Sequence, residues 1–310
     1  MFEILENFPK QCKESLRLGE KVKNPSPKIN KIVISGMGGS GIAGDLVKSY
    51  IDKIPVFVNK TYDLPDFVDE DTLSIVVSYS GKTEETLSSL KKSKEKNAYI
   101  LGVSSNKDLG KKCDSFIKIP TGYPPRGAIG FLFLSIIGAL EKLGVKKKPS
   151  EESLINSLEK IKEKKEKTET IAKKIKEKIP IVYAYDTFYP VAYRFKCQMN
   201  ENAKSHAFSH YFPELDHNEL TAYMSEPVDN LLCVILNDPD AQDQVKKRID
   251  ITKDLINLPV IKYDMQGENI LEKIMTTIYF WDWVSYYHAK ENDKDPMNND
   301  IIDELKEKLS

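Results

Sequence analysis

The sequence predicts an α/β protein built as two three-layer domains, each around a central, mostly parallel sheet. Three observations carry this. Short, near-continuous apolar segments alternate with amphipathic helical patterns through the first half. A second alternation of the same kind begins near residue 180. A highly charged stretch lies between the two. Strands that are apolar along their whole length belong in sheets covered by helices on both faces.

In the first half, residues 31–35 (KIVIS), 55–58, 73–78 (LSIVVS), 98–103 and 116–119 read as buried strands. Residues 41–54, 83–94 and 129–143 read as the helices between them. Residues 149–179 carry Leu154, Leu158, Ile161, Ala172 and Ile175 at three- and four-residue steps amid dense Lys and Glu. That spacing predicts one long amphipathic connecting helix with a solvated face. Beyond it, 180–185 (PIVYAY), 230–236 (NLLCVIL) and 260–263 read as strands, and 189–203, 241–258, 270–290 and 299–309 as helices. The expected domains are 1–150 and 151–310.

Bulk properties narrow the function. Across 310 residues, 46 Lys+Arg against 47 Asp+Glu give a formal net charge of −1, which argues against general nucleic-acid binding. Cys12, Cys113, Cys197 and Cys233 form no CxxC pair, so neither a zinc ribbon nor a disulfide framework is expected. The first twenty residues lack a basic segment followed by an apolar run, and no apolar stretch reaches about 18 residues. A cytoplasmic protein with no signal peptide and no membrane span is the expectation.

Two loops follow strands and open helices. In the first, Ser35–Gly44 (SGMGGSGIAG), Gly36, Gly38 and Gly41 satisfy GxGxxG. A dinucleotide site also needs an acidic residue at the end of the next strand. That strand ends in Asn59-Lys60. What the loop does offer is bare N–H groups and the Ser40 hydroxyl at a helix N-terminus. In the second, Ser80-Gly81-Lys82-Thr83 resembles the end of a P-loop, but the glycine required five positions earlier is Val76. Ser78, Ser80, Thr83 and Thr86 exceed the one hydroxyl that a helix cap requires and suit a single phosphate monoester. Glu84 and Glu85 are expected to point outward.

Candidates for proton chemistry lie further on. Arg126 is held between prolines and a glycine in PPRG, so it is not expected to be a loose surface charge. Glu201, in NENAK, ends a predicted helix, where the dipole disfavours a negative charge and suits a proton acceptor. His217, in PELDHNE, is flanked by acids that can tune it. His206 and His210 would share a zinc-binding i, i+4 spacing if the helix continued through them, but no HExxH pattern supports a metal. On composition alone Glu201 and Lys306 read as ordinary solvated charges.

The motifs GMGGSGIAGD and SYSGKTEET resemble the sugar isomerase (SIS) fold. The ordered set Gly-Gly-Ser, SxSGxT, PPRG, NENAK, PELxHNE and a terminal DP…I…LK resembles the archaeal-type bifunctional phosphoglucose/phosphomannose isomerases, from about Gly36 to Lys306. The resemblance implies two SIS-type domains. Gly38, Gly39, Ser40, Ser78, Ser80 and Thr83 would bind the substrate phosphate, and Glu201 would move the C1/C2 proton. Arg126 would stabilise the enediolate. His217 and Lys306 would assist ring opening, His217 coming from the partner in a homodimer with shared active sites. Neither cofactor nor metal is implied. Family members often carry threonine before the final helix, where it leaves room for either C2 epimer. Here the stretch is Pro296-Met297-Asn298-Asn299, which makes Asn299 the epimer-specificity candidate and glucose 6-phosphate the firmer substrate.

Overall fold

A computed structural model describes residues 1–24 and 29–309, with the side chains of Lys306 and Leu309 outside the description. By its contacts the chain divides into two units, Glu6–Asn156 and Met1–Leu5 with Ser157–Ser310.

The chain opens with helices α1 (Phe2–Glu6) and α2 (Phe8–Gly19). The first unit then runs β1 (Lys31–Ser35), α3 (Gly38–Tyr50), β2 (Val56–Asn59), β3 (Thr72–Val77), α4 (Glu84–Glu95), β4 (Tyr99–Ser104), α5 (Lys107–Gly110), β5 (Ser115–Lys118) and α6 (Ile129–Lys142). Its five strands are all parallel, in the order β2-β1-β3-β4-β5. Every residue of β3 is buried, as its apolar run requires. From β1 the chain crosses to one side of the sheet, and from β3 to the other. The carboxyl ends of these neighbours, Ser35 opposite Val76, therefore form the topological switch point, where open α/β sheets leave a crevice.

The second unit contains α8 (Lys165–Ile175), which follows α7 (Glu151–Lys162), then β6 (Ile179–Tyr185), α9 (Tyr189–Ala203), β7 (Phe208–Phe212), β8 (Leu231–Asn237), α10 (Asp243–Leu255), β9 (Val260–Asp264), α11 (Ile270–Glu291) and α12 (Asp300–Leu309). Its four strands are also parallel, ordered β7-β6-β8-β9. α11 is buried over most of its length and carries Trp281 and Trp283 into the core. Beneath it Arg194 donates to Asp282 at 2.6 Å, and Gln198 donates to the other carboxylate oxygen at 3.0 Å.

Apart from shifted element ends and the short, unassigned helices α1 and α5, the sequence expectation differs from the structure in three places. The single helix expected over 149–179 is two, broken at Glu163-Lys164, and Ile179 already belongs to β6. The apolar stripe explains the break. It ends at Ile161 and resumes only at Ile171, so nothing apolar holds the intervening turns in one register. Strand β7 goes unassigned from sequence, where its stretch is weighed only as a continuation of the preceding helix through His206 and His210. Helix α2 went unassigned, although Phe8, Cys12 and Leu16 form a buried stripe at four-residue steps, with Pro9 in the first turn. The four cysteines are unpaired, and Cys12 and Cys233 are buried. No helix among the described residues is long and apolar enough to cross a membrane.

Candidate active site

At the switch point of the first unit two loops meet. The SYSGKT loop leaves β3 and is joined to α3 where the Tyr79 N–H donates to the Ser40 Oγ at 3.3 Å. Within the loop, the Gly81 N–H donates to the Ser78 Oγ at 3.0 Å, and the Ser78 and Thr83 hydroxyls lie 3.1 Å apart. The Lys82 N–H donates to the Ser80 Oγ at 3.2 Å. Gly81 has φ +69°, and a Cβ there would stand 2.6 Å from the Asn106 Cβ, so this tight turn requires glycine. Thr83 is the cap residue of α4, yet its side chain makes no capping bond. The Thr86 Oγ1, in the first turn of α4, is buried and has no hydrogen-bond partner among the described residues. Glu84 is exposed and accepts from the Tyr62 hydroxyl at 3.3 Å, so it points outward as expected.

The dinucleotide alternative fails structurally as well. β2 ends in Asn59, which donates to Ser89 and to the Thr61 carbonyl, and the neighbouring Lys60 pairs with Asp45 of α3. No carboxylate stands at the end of β2 to hold a ribose.

The PPRG segment is packed against the same α3 terminus. It forms a 3₁₀ turn, Pro125–Ala128, in which Arg126 is 2% exposed, so it is not a loose surface charge. A Cβ on Gly39 would lie 3.1 Å from the Pro125 carbonyl oxygen and 3.4 Å from the Arg126 N. A side chain here would be tight against the PPRG backbone, which would have to shift by a few tenths of an ångström to admit it. Gln11 of α2 secures the turn from below. It donates to the Gly127 carbonyl at 3.0 Å and accepts from the Gly130 N–H at 2.9 Å. Tyr79 secures the other side, its hydroxyl accepting from the Tyr123 N–H at 2.9 Å and donating to the Pro120 carbonyl at 3.2 Å. Neither Gln11 nor Tyr79 was singled out from sequence. The α2 stripe would have flagged Gln11 as a polar residue on a buried face. The first unit thus gathers Gly38, Gly39, Ser40, Ser78, Ser80, Thr83 and the Arg126 turn at one sheet edge. Helix N-termini, backbone N–H groups and hydroxyls in this arrangement can hold one phosphate.

In the second unit, Glu201 is partly buried in the last turn of α9. The following residue but two, Lys204, takes φ 54° and ends the helix, so His206 and His210 do not share a helix and the i, i+4 zinc spacing is absent. His210 lies instead on β7, where its Nδ1 accepts from the Tyr211 N–H at 2.8 Å. Among the described residues no cluster of three or more His, Cys, Asp or Glu side chains has metal-holding geometry.

His217 is exposed, in a 3₁₀ turn (Glu214–His217) just past β7. The acids around it are engaged elsewhere. Asp216 accepts from Arg248 at 3.0 Å and from the Thr252 hydroxyl at 2.9 Å. Glu214 accepts from the Asn218 side chain at 2.9 Å, and Glu219 accepts from the Tyr183 hydroxyl. A cavity of about 480 Å³ opens beside this turn, lined by Phe212, Pro213, Asp216, Arg248 and Ile251 among others. It contains none of the phosphate-loop residues.

Glu201 and His217 are not brought together within this unit. α9 runs back from the carboxyl edge of the sheet, so Glu201 lies toward the amino edge. β7 then returns in parallel with β6 and delivers His217 at the carboxyl edge. A five-residue strand separates the two edges by roughly 15 Å. Asn299 precedes α12 and Lys306 lies on it, the Lys306 side chain being outside the described residues.

Comparison with known proteins agrees with this architecture. The family model of the SIS domain matches residues 28–131, and that of the bacterial phospho-glucose isomerase C-terminal SIS domain matches residues 164–309. The bifunctional phosphoglucose/phosphomannose isomerase of Thermoplasma volcanium is 35% identical over 287 residues, covering 91% of this chain and 92% of its own. That of Caldicellulosiruptor bescii is 35% identical over 339 aligned residues, covering 100% and 99%. Among solved structures, the C-terminal domain of glucosamine-fructose-6-phosphate aminotransferase from Francisella tularensis superposes with TM-score 0.78 over 95% of this chain and 97% of that one, at 17% identity, a likeness of fold alone. With two parallel SIS-type sheets, the phosphate-suited loops at the switch point and relatives matched along nearly the whole chain, this protein belongs to the bifunctional phosphoglucose/phosphomannose isomerase family.

Proposed function

We propose that this protein is a metal-independent, cytoplasmic aldose–ketose isomerase that interconverts glucose 6-phosphate, and also mannose 6-phosphate, with fructose 6-phosphate. Family membership supports this over a non-catalytic sugar-phosphate-binding regulator. The observation that carries the substrate class is the junction of the two loops through Tyr79 and Ser40, which gathers N–H groups and hydroxyls for one phosphate.

In this reading the domain at 1–150 holds the handle of the substrate and the domain at 151–310 supplies the proton chemistry. Gly38, Gly39, Ser40, Ser78, Ser80 and Thr83 bind the phosphate. His217 and Lys306 move the proton from the anomeric hydroxyl to the ring oxygen, opening the ring. The Glu201 carboxylate then takes the C2 proton. The C–H electrons form the C1=C2 bond of a cis-enediolate, whose oxygen charge Arg126 stabilises. The C2 hydroxyl then gives its proton to O1 as protonated Glu201 returns its own proton to C1, leaving the hydroxyl at C1 and the ketone at C2.

The opposite-edge positions of Glu201 and His217 support a homodimer in which His217 comes from a second copy of the chain. A coupled assay for fructose 6-phosphate isomerisation tests the proposal, with the protein dialysed against EDTA. Turnover that survives EDTA is expected. Ligand-induced thermal stabilisation with no turnover would favour the regulator, and loss of turnover with EDTA would contradict the metal-free mechanism.

A further inference from the structure

Lys204 occupies an unusual position. It caps α9 in the left-handed region, at φ 54° and ψ 32°, where glycine is the ordinary occupant. Its side chain turns back across the helix end. Nζ donates to the Glu201 carbonyl at 2.8 Å, the Asp295 carbonyl at 2.6 Å and the Asn298 carbonyl at 2.8 Å, with the Asn202 carbonyl at 3.5 Å. Three short contacts match the three protons of an ammonium group. These four carbonyls come from two separate segments. Glu201 and Asn202 belong to the final turn of α9, whose carbonyls lack intrahelical partners and carry the negative end of the dipole. Asp295 and Asn298 belong to a turn more than ninety residues later. In that turn the Met297 N–H donates to the Asp295 carboxylate at 2.8 Å and the Asp300 N–H to the Asn298 side chain at 3.1 Å. From there the Ile302 N–H bonds to the Asn299 carbonyl and α12 begins.

We infer that Lys204 is a positioning residue that fixes the turn bearing Asn299, and the start of the helix bearing Lys306, against the end of α9 that bears Glu201. Its single charge joins the segment holding the proposed base to the segment holding the proposed epimer-specificity and ring-opening residues. A lysine serving only as a helix cap would need the α9 carbonyls alone. The two carbonyls from the 295–298 turn give the side chain its second function, and they account for a lysine where glycine would relieve the backbone. The catalytic part of this inference rests on the isomerase reading, whereas the clamp itself does not.

The test uses the full chain with Lys204→Gly and Lys204→Met. Glycine suits the left-handed backbone, so Lys204→Gly removes the ammonium without breaking the cap and is expected to keep the wild-type melting temperature or raise it. Hydrogen–deuterium exchange of amides 295–305 should accelerate in both variants. kcat should fall by about 10-fold or more, KM should stay within about threefold because the phosphate loops are untouched, and the ratio of mannose to glucose 6-phosphate turnover should shift by more than about threefold. A Lys204→Gly protein with wild-type exchange over 295–305, or with wild-type kcat and epimer ratio, would overturn the inference. A wild-type protein that fails to turn over either sugar phosphate would defeat the isomerase reading, and the exchange measurement would still decide the clamp.

Discussion

The Thr83 hydroxyl lies 3.1 Å from the Ser78 hydroxyl and makes no capping bond to α4, although Thr83 stands at the cap position. An N-cap threonine whose hydroxyl bonds the helix typically contributes about 1 kcal/mol of stability. Here that contribution is absent, and the hydroxyl faces its loop partner instead. Thr83→Val should therefore leave the melting temperature nearly unchanged. It should raise KM for fructose 6-phosphate about 10-fold, the cost of one hydrogen bond to a charged phosphate. A drop in stability with KM unchanged would return Thr83 to an ordinary capping role.

Gln11 predicts the opposite balance. Its amide bridges the Gly127 carbonyl and the Gly130 N–H at 3% exposure. Gln11→Leu preserves bulk but leaves two buried backbone groups unpaired, which should cost about 2–4 kcal/mol in urea unfolding. Because the same turn carries Arg126, kcat should fall as well. An unchanged urea midpoint would mean that the turn is held without this bridge.

His288 gives a pH signature of stability. It is buried on α11, its Nε2 3.2 Å from the Ser205 Oγ and its Nδ1 3.4 Å from the Ala172 carbonyl. Burial lowers its pKa below the ordinary 6.5, outweighing the opposing pull of the Ala172 carbonyl and Glu291. The unfolded chain takes up a proton as pH falls through 6.5 while the folded chain does not. The stability is thus fully present above 6.5 and is lost as pH falls toward the depressed folded value, with a slope of at most about 1.4 kcal/mol per pH unit. Urea midpoints between pH 7.5 and about 5.5 should fall more steeply for the wild type than for His288→Gln. Identical slopes would show that this imidazole is not the group responsible.

The central strands of the first unit, β1, β3 and β4, were legible because burial on both faces writes itself as unbroken apolar runs such as KIVIS and LSIVVS. The two loops were legible because glycines and hydroxyls follow those runs directly. Arg126 was legible as a fixed charge because prolines and a glycine restrict its backbone. The remaining features depend on contacts that sequence spacing does not encode. Lys204 reaches carbonyls 91 and 94 residues away, and Gln11 reaches a turn 116 residues away. The break in the helix expected over 149–179 arises from a lapse in the apolar stripe that the charged residues around it obscure. The separation of Glu201 from His217 follows from the direction of β7, a strand whose FSHYF sequence is largely exposed or half-buried and so lacks the apolar runs of β6 and β8. Because β7 is short and lies at the sheet edge, its pairing with β6 decides which end of the unit receives His217.

The central claim is that Glu201 carries the proton between C2 and C1, and isomerisation in D2O tests it most directly. Proton NMR of fructose 6-phosphate incubated with the wild-type protein should show solvent deuterium entering the product aldose at C2 and the ketose at C1. Glu201→Gln keeps the shape of the side chain and removes its basicity, so both exchange and turnover should fall by at least about 10²-fold while the phosphate still binds. A Glu201→Gln protein that exchanges and turns over at near wild-type rates would contradict the account.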